Sequence, residues 1–237
     1  MFNFFKTKTP DITAICPHCS KSLDKFPARK QKCPHCGNVF VVRTHYITHN
    51  KILLTETDAV RFDAEKDKYY LDKSLIDGLK KNIDVDKNEV DKLVKITQVD
   101  LTKKFGRPAS LGDVAWGVAN RMSVDAMRKG NMGLLRMIQF QMALYLHHCG
   151  KDGRQLLESG FEIELRDYKK MGISKVSVMA KSCCEECKIQ DGRILGIDDA
   201  MRDKILPYRL CTSRLNKEAP TGWCTCCYIP VVDGLGK

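Results

Sequence analysis

The chain has 237 residues, 43% of them hydrophobic and 29% charged, with a formal net charge of +11. That composition is ordinary for a soluble globular protein, and no stretch approaches the ~20 consecutive apolar residues that span a bilayer. Phe2, Phe4 and Phe5 ahead of Lys6 make too short an apolar run for a signal-peptide core, so a cytoplasmic protein is expected, in which the 12 cysteines serve as metal ligands rather than disulfides.

The chain opens on a repeat, Cys16-Pro17-His18-Cys19 and Cys33-Pro34-His35-Cys36, separated by residues 20–32. Each Cys-x2-Cys pair offers two thiolates from one tight turn, and two such pairs close a tetrahedral zinc site; iron bound by four cysteines is the lesser alternative. Residues 12–44 therefore read as a small β zinc ribbon. Metal binding there supplies on the order of 10–16 kcal/mol at neutral pH, in place of a core that so short a segment cannot build. Gly37 follows the second pair, where the turn favours a positive φ; Ser20 takes that place in the first. His18 and His35 are expected to be exposed spacers. Val39 to Val42 read as a strand, and His45 to Lys51 as a linker. Lys21, Lys25, Arg29, Lys30 and Lys32 cluster between the two pairs, which makes them candidates for contact with phosphate; their other role is to offset the thiolate charge. Cys-Pro-His-Cys also resembles the redox motif of bacterial disulfide oxidants with the thioredoxin fold. Those carry one copy at a helix start after a strand; two copies with no βαβ pattern argue against redox catalysis here.

Residues 52–172 read as an α-helical domain. Thr55 or Thr57 caps a helix to about Asp67, and a further helix covers Leu71 to Lys81. Asn88 caps a helix to Phe105, with Val90, Leu93, Val94, Ile96 and Val99 as its apolar face. Asp84, Asp86 and Asn88 hint at a calcium loop, but Glu89 and Lys95 occupy the positions that need glycine and glutamate. Gly106-Arg107-Pro108 breaks the run. Ser110 starts a helix ending near Gly130, Asn131 one ending at His148, and Arg154 one ending at Met171. Short connections imply antiparallel hairpins, similar to tetratricopeptide packing but without three clear repeats. His147 and His148 suit a helix C-terminus, where positive charge is favoured.

A third region, 173–234, starts with a strand at Val176 to Met179 and reads as a Cys-rich zinc module. Cys184 and Cys187 form one pair; Cys211 with Cys224 or Cys226 forms the other. Asp191-Gly192 makes a tight turn, and Asp198 can cap a short helix near Asp199 to Asp203. Cys183 and Cys227 are surplus and suit small buried packing. The order Cys-x2-Cys, Asp191-Gly192, Leu206-Pro207, Cys-x-Cys and Ile229-Pro230-Val231 resembles the C-terminal zinc-binding segment of phage head-morphogenesis (minor capsid) proteins over ~184–232. That family has a histidine just before its Cys-x-Cys. This chain has none after His148, and Cys211 stands in for it. The resemblance implies a structural, phage-derived assembly component. The layout of ribbon, helices and cysteine-rich tail is also similar to uncharacterised bacterial zinc-ribbon proteins.

No Walker loop or dinucleotide fingerprint occurs. Without a local histidine, the C-terminal cluster cannot build a His-Asn-His nuclease, and His147-His148-Cys149 does not match a deaminase. The expectation is an α+β protein holding two zinc ions. It acts as a non-enzymatic adaptor that touches nucleic acid or an acidic protein through its ribbon and docks a protein on its helices. A head-morphogenesis role is the second reading, and a metal-dependent hydrolase or nuclease the third.

Overall fold

Three tight turns of one design shape the start of the chain. The computed structural model describes residues 14–83, 85–180, 184–213 and 223–232. Strands β1 (Ala14–Ile15) and β2 (Ser22–Leu23) pair across the first turn. Across the second, β3 (Gln31–Lys32) pairs with β4 (Val39–Thr44), and across the third β4 pairs with β5 (Lys51–Leu54), all antiparallel. The last pairing corrects the expected linker at His45 to Lys51. Val41 faces Leu54 and Thr44 faces Lys51, so the segment is a hairpin. The buried centre of this part is Cys16, Cys33 and Phe40, flanked by Cys19, Leu23 and Leu53. One aromatic ring and sulfur atoms make a very small core.

Helix α1 (Glu56–Lys81) is one continuous 26-residue helix, where two were expected. Nothing between Asp67 and Leu71 breaks it, because no glycine or proline intervenes. Thr55, not Thr57, caps it: the Asp58 N–H donates to Thr55 Oγ1 at 3.0 Å, and that hydroxyl donates to Asp58 Oδ2 at 2.8 Å. The chain divides into two compact units, Met1–Lys68 and Tyr69–Lys237, and the boundary falls inside α1. Within the first unit, Arg43 holds Asp63 bidentately and lowers its carboxyl pKa, and Phe62 packs against the rings of His45 and Tyr46.

The second unit is helical before it is β. Helices α2 (Lys87–Phe105), α3 (Leu111–Arg128), α4 (Met132–His148) and α5 (Arg154–Lys170) pack on their sequence neighbours. Side chains cap the first three of these helices, whereas Gly153 precedes α5 without a side-chain cap. Asp86 rather than Asn88 caps α2, accepting the Asn88 N–H; Ser110 and Asp113 form a capping box at α3; Asn131 caps α4. On α2 the buried residues are Val90 and Thr97, with Leu93 and Val94 partly buried, whereas Ile96 and Val99 are half exposed. The expected apolar face is therefore rotated. Close approach of α3 decides this: a Cβ at Gly117 would lie 2.7 Å from the Thr97 methyl, so the glycine admits Thr97 to the interface.

Strands β6 (Lys175–Met179), β7 (Ile194–Gly196) and β8 (Cys227–Val231) form an antiparallel sheet in the order β7-β6-β8. The short helices α6 (Glu185–Lys188) and α7 (Ile197–Asp203) sit in its connections. Gly196, not Asp198, precedes α7, which has no side-chain cap. Helix α5 serves two cores: Leu156 and Ile163 join the helical one, while Phe161, Leu165 and Tyr168 join the one holding Val176, Val178, Cys187 and Tyr228. No described helix is long and apolar enough to cross a membrane.

Glycine contacts test this packing. A Cβ at Gly153 would lie 2.6 Å from the Ala143 carbonyl oxygen and 2.9 Å from its Cα, which is backbone and cannot turn aside. Gly153→Ala is expected to cost ~1–3 kcal/mol in urea unfolding. At Gly78 the obstacle is the Gln141 amide oxygen, the end of a movable side chain. Gly78→Ala is expected to change stability by less than ~1 kcal/mol, because helix propensity offsets the displacement.

Candidate metal centres

The turn at Cys16 to Lys21 is held by two backbone bonds, Cys16 N–H to Lys21 O and Ser20 N–H to Cys16 O, each 2.9 Å. The turn at Cys33 to Asn38 repeats both: Cys33 N–H to Asn38 O at 2.8 Å and Gly37 N–H to Cys33 O at 2.9 Å. Ser20 and Gly37 take the required positive φ, 57° and 75°. The two turns face each other. Cys16 Sγ lies 3.9 Å from Cys36 Sγ, Cys19 Sγ lies 3.8 Å from Cys33 Sγ, and all four sulfurs fall within 4.8 Å of one another. A tetrahedral ion with metal–sulfur bonds of about 2.3 Å has sulfur–sulfur edges of about 3.8 Å, so this donor set fits zinc.

The electrostatics also call for a cation. Burial opposes ionisation of Cys33, yet the N–H groups of Cys36 and His35 and the neighbouring thiols bring its pKa down to about 6. The Asn38 N–H favours the Cys36 thiolate, but desolvation and the sulfurs of Cys33, Cys19 and Cys16 outweigh it and push that thiol up to about 11. The first proton leaves easily and the last is retained, as clustered like charges require. A dication removes that penalty.

His18 and His35 do more than space the ligands. His18 Nε2 donates to Val39 O at 2.8 Å, and His35 Nε2 donates to Ser22 O at 3.1 Å. Each acceptor lies at the same offset past the opposite turn, so the two bonds are related by a pseudo-twofold axis. A carbonyl only accepts, so each ring carries its proton on Nε2. The third turn, His45 to Asn50, copies the same bonds (His45 N–H to Asn50 O and His49 N–H to His45 O, both 2.8 Å), with His49 at φ 59°. There His45 Nδ1 stands where the other turns have sulfur, and accepts the Ile47 and Thr48 N–H groups at 3.3 Å. Thr48 occupies the second ligand position, so this turn lacks a metal pair and packs on Phe62 instead. Short apolar runs on both sides of His45 to Asn50, Val39 to Val42 and Ile52 to Leu54, were the sequence signal for it.

The C-terminal centre is built differently. Cys184 and Cys187 sit at the start and middle of α6; Cys211 follows α7; Cys224 and Cys226 precede β8. Asp191 anchors the β6–β7 turn by accepting the Ala180 N–H at 2.7 Å, and Gly192 follows at φ 74°. The sulfurs of Cys184, Cys187 and Cys211 lie within 4.8 Å of one another, and so do those of Cys187, Cys224 and Cys226. Cys184 and Cys211 are 3.8 Å apart. Backbone N–H groups reach the sulfurs: Thr212 donates to Cys184 and Tyr208 to Cys224, each at 3.3 Å. Burial opposes the Cys184 thiolate, but Thr212 and the Cys187 N–H bring its pKa down to about 6. Desolvation pushes Cys211 up to about 11 and Cys187 higher still, with neighbouring sulfurs adding to the shift of Cys187. Both cysteine clusters are therefore chemically suited to a thiophilic dication. Cys183 lies outside the described residues; Cys227 is half-buried on β8.

His147 is buried against Trp223, their ring centres 5.3 Å apart, and among the described residues no metal-competent group includes His147, His148 or Cys149. All five basic candidates of the first unit are exposed. Lys30 is committed to Glu56 at 2.5 Å, while no ion pair among the described residues engages Lys21, Lys25, Arg29 or Lys32. No family model, curated protein or solved structure matches this chain.

Two outcomes check the first centre. Cys33→Ser should abolish one bound ion and unfold the β1–β5 region while leaving the helical circular dichroism nearly intact, since the α1–α5 core contains no cysteine. His18→Ala and His35→Ala should each weaken zinc retention about 2- to 10-fold in chelator competition, and by similar amounts, because each removes one symmetry-related bond worth ~0.5–1.5 kcal/mol.

Proposed function

We propose that this protein is a zinc-stabilised, non-enzymatic adaptor whose N-terminal turns form a zinc ribbon that contacts a nucleic acid backbone. The observation that carries this reading is the charge around the first cysteine cluster. Lys21, Lys25, Arg29 and Lys32 are exposed and engaged in no ion pair among the described residues, on a segment fixed at both ends by metal-competent turns. Cations held on a rigid loop lose little conformational freedom when they meet phosphates. Lys30 contributes less, because Glu56 already neutralises it. A four-thiolate site has no open position for a substrate or an activated water, which favours binding over hydrolysis at the first centre. The helical hairpins would then carry the protein partner.

A second reading, a head-morphogenesis-like structural component, is favoured by one observation. Cys184, Cys187, Leu206, Cys224 and Cys226 converge in the core under the β7-β6-β8 sheet, and the Asp191-Gly192 turn closes its β6–β7 hairpin. Self-association of the full chain in sedimentation would support it.

The nucleic-acid reading is tested by salt titration of a gel shift. Four phosphate contacts on duplex DNA predict a slope of log K against log salt of about −3.6, and replacing Lys21, Lys25, Arg29 and Lys32 together by Gln should flatten it. Absence of binding to duplex and single-stranded probes at about 50 mM salt would overturn the reading.

A further inference from the structure

The second cysteine cluster differs from the first in a way that bears on how many ions it takes. In the first, four sulfurs form one group with every pair within 4.8 Å; in the second, the described sulfurs fall into two groups of three, Cys184–Cys187–Cys211 and Cys187–Cys224–Cys226, that share only Cys187. Four of these five cysteines are buried and Cys184 is half-buried, so none is a surface thiol that happens to lie nearby. Each group also has one sulfur that accepts a backbone N–H, Cys184 from Thr212 and Cys224 from Tyr208, the contact that stabilises thiolate rather than thiol.

We propose that the C-terminal centre holds two thiophilic ions, zinc by expectation, with Cys187 as the thiolate that bridges them. This rests on the reading that both cysteine clusters bind zinc, and refines it from two ions per chain to three. One tetrahedral ion would use four sulfurs, leave a fifth in the core, and carry a doubly negative charge. Two ions that share Cys187 use all five thiolates and leave the centre singly negative, which lowers the cost of burying it. Each ion then has three protein thiolates and one position for a small donor such as water. The position of Cys187 suits a bridge: it is fully buried on α6, between Cys184 of its own helix start and the sulfurs preceding β8.

The test counts ions on the intact, reduced full-length chain by native mass spectrometry. Three zinc ions per chain are expected. Two would overturn the bridge and leave the adaptor reading standing; one or none would overturn both. Cys226→Ser should lower the count from three to two, and a count that stays at three would overturn the proposal. Because that variant can fold poorly, the unmodified protein loaded with 113Cd provides the second measurement. Two C-terminal resonances split by mutual coupling through the Cys187 sulfur are expected, and a single C-terminal resonance, or two without coupling, would overturn the bridge.

Discussion

Clustered thiolates repel one another, and both ends of this chain are built around that repulsion. Among the β1–β5 strands the buried centre is little more than Phe40 and the sulfurs of Cys16 and Cys33. A core that small does not offset the entropy of ordering five short strands. The tight turns gather four sulfurs at tetrahedral spacing and aim N–H groups at them, so the unit is arranged for a cation that converts the repulsion into cohesion. The opposing pulls on Cys33 and Cys36, one thiol down to about 6 and the other up to about 11, record the same conflict in proton affinity.

The middle of the chain follows other physics. Helices α1 to α5 bury Leu75, Leu79, Val90, Val118 and Ile138 in an ordinary aliphatic core, and glycines at 78, 117 and 153 let helices approach closely. One polar contact lies at its margin: partly buried Tyr145 donates its hydroxyl proton to buried Asp72 at 2.7 Å, and burial together with that carboxylate pushes the tyrosine pKa up. This core has no need of metal. The C-terminal module combines both strategies, with Val176, Val178 and Leu206 packed beside five cysteines and with Tyr228 accepting the Leu206 N–H at 3.3 Å.

The histidines show how a short motif carries two instructions. Cysteine spacing places the ligands, and the residue between them ties each turn to the opposite hairpin through His18 to Val39 and His35 to Ser22. Such bonds hold the two halves in register whether or not the sulfurs alone would do so. The third turn reuses the backbone plan with His45 in the sulfur position, which shows that the turn geometry itself does not depend on metal.

Much was legible from residue order alone. Paired Cys-x2-Cys motifs located the first centre, because turn and ligands lie within a few residues of each other. Ser110, Asn131 and Arg154 marked helix starts for the same reason of local chemistry. Other features depended on contacts distant in sequence. Which face of α2 is buried was decided by Gly117 on α3. The partners of His18 and His35 lie across the hairpin pair and could not be read from the motif. Above all, sequence order offered Cys224 and Cys226 as alternatives beside Cys211 around one ion. Folding places all three near Cys187, because α6, the segment after α7 and the entry to β8 converge there, and ligand grouping is a property of that convergence.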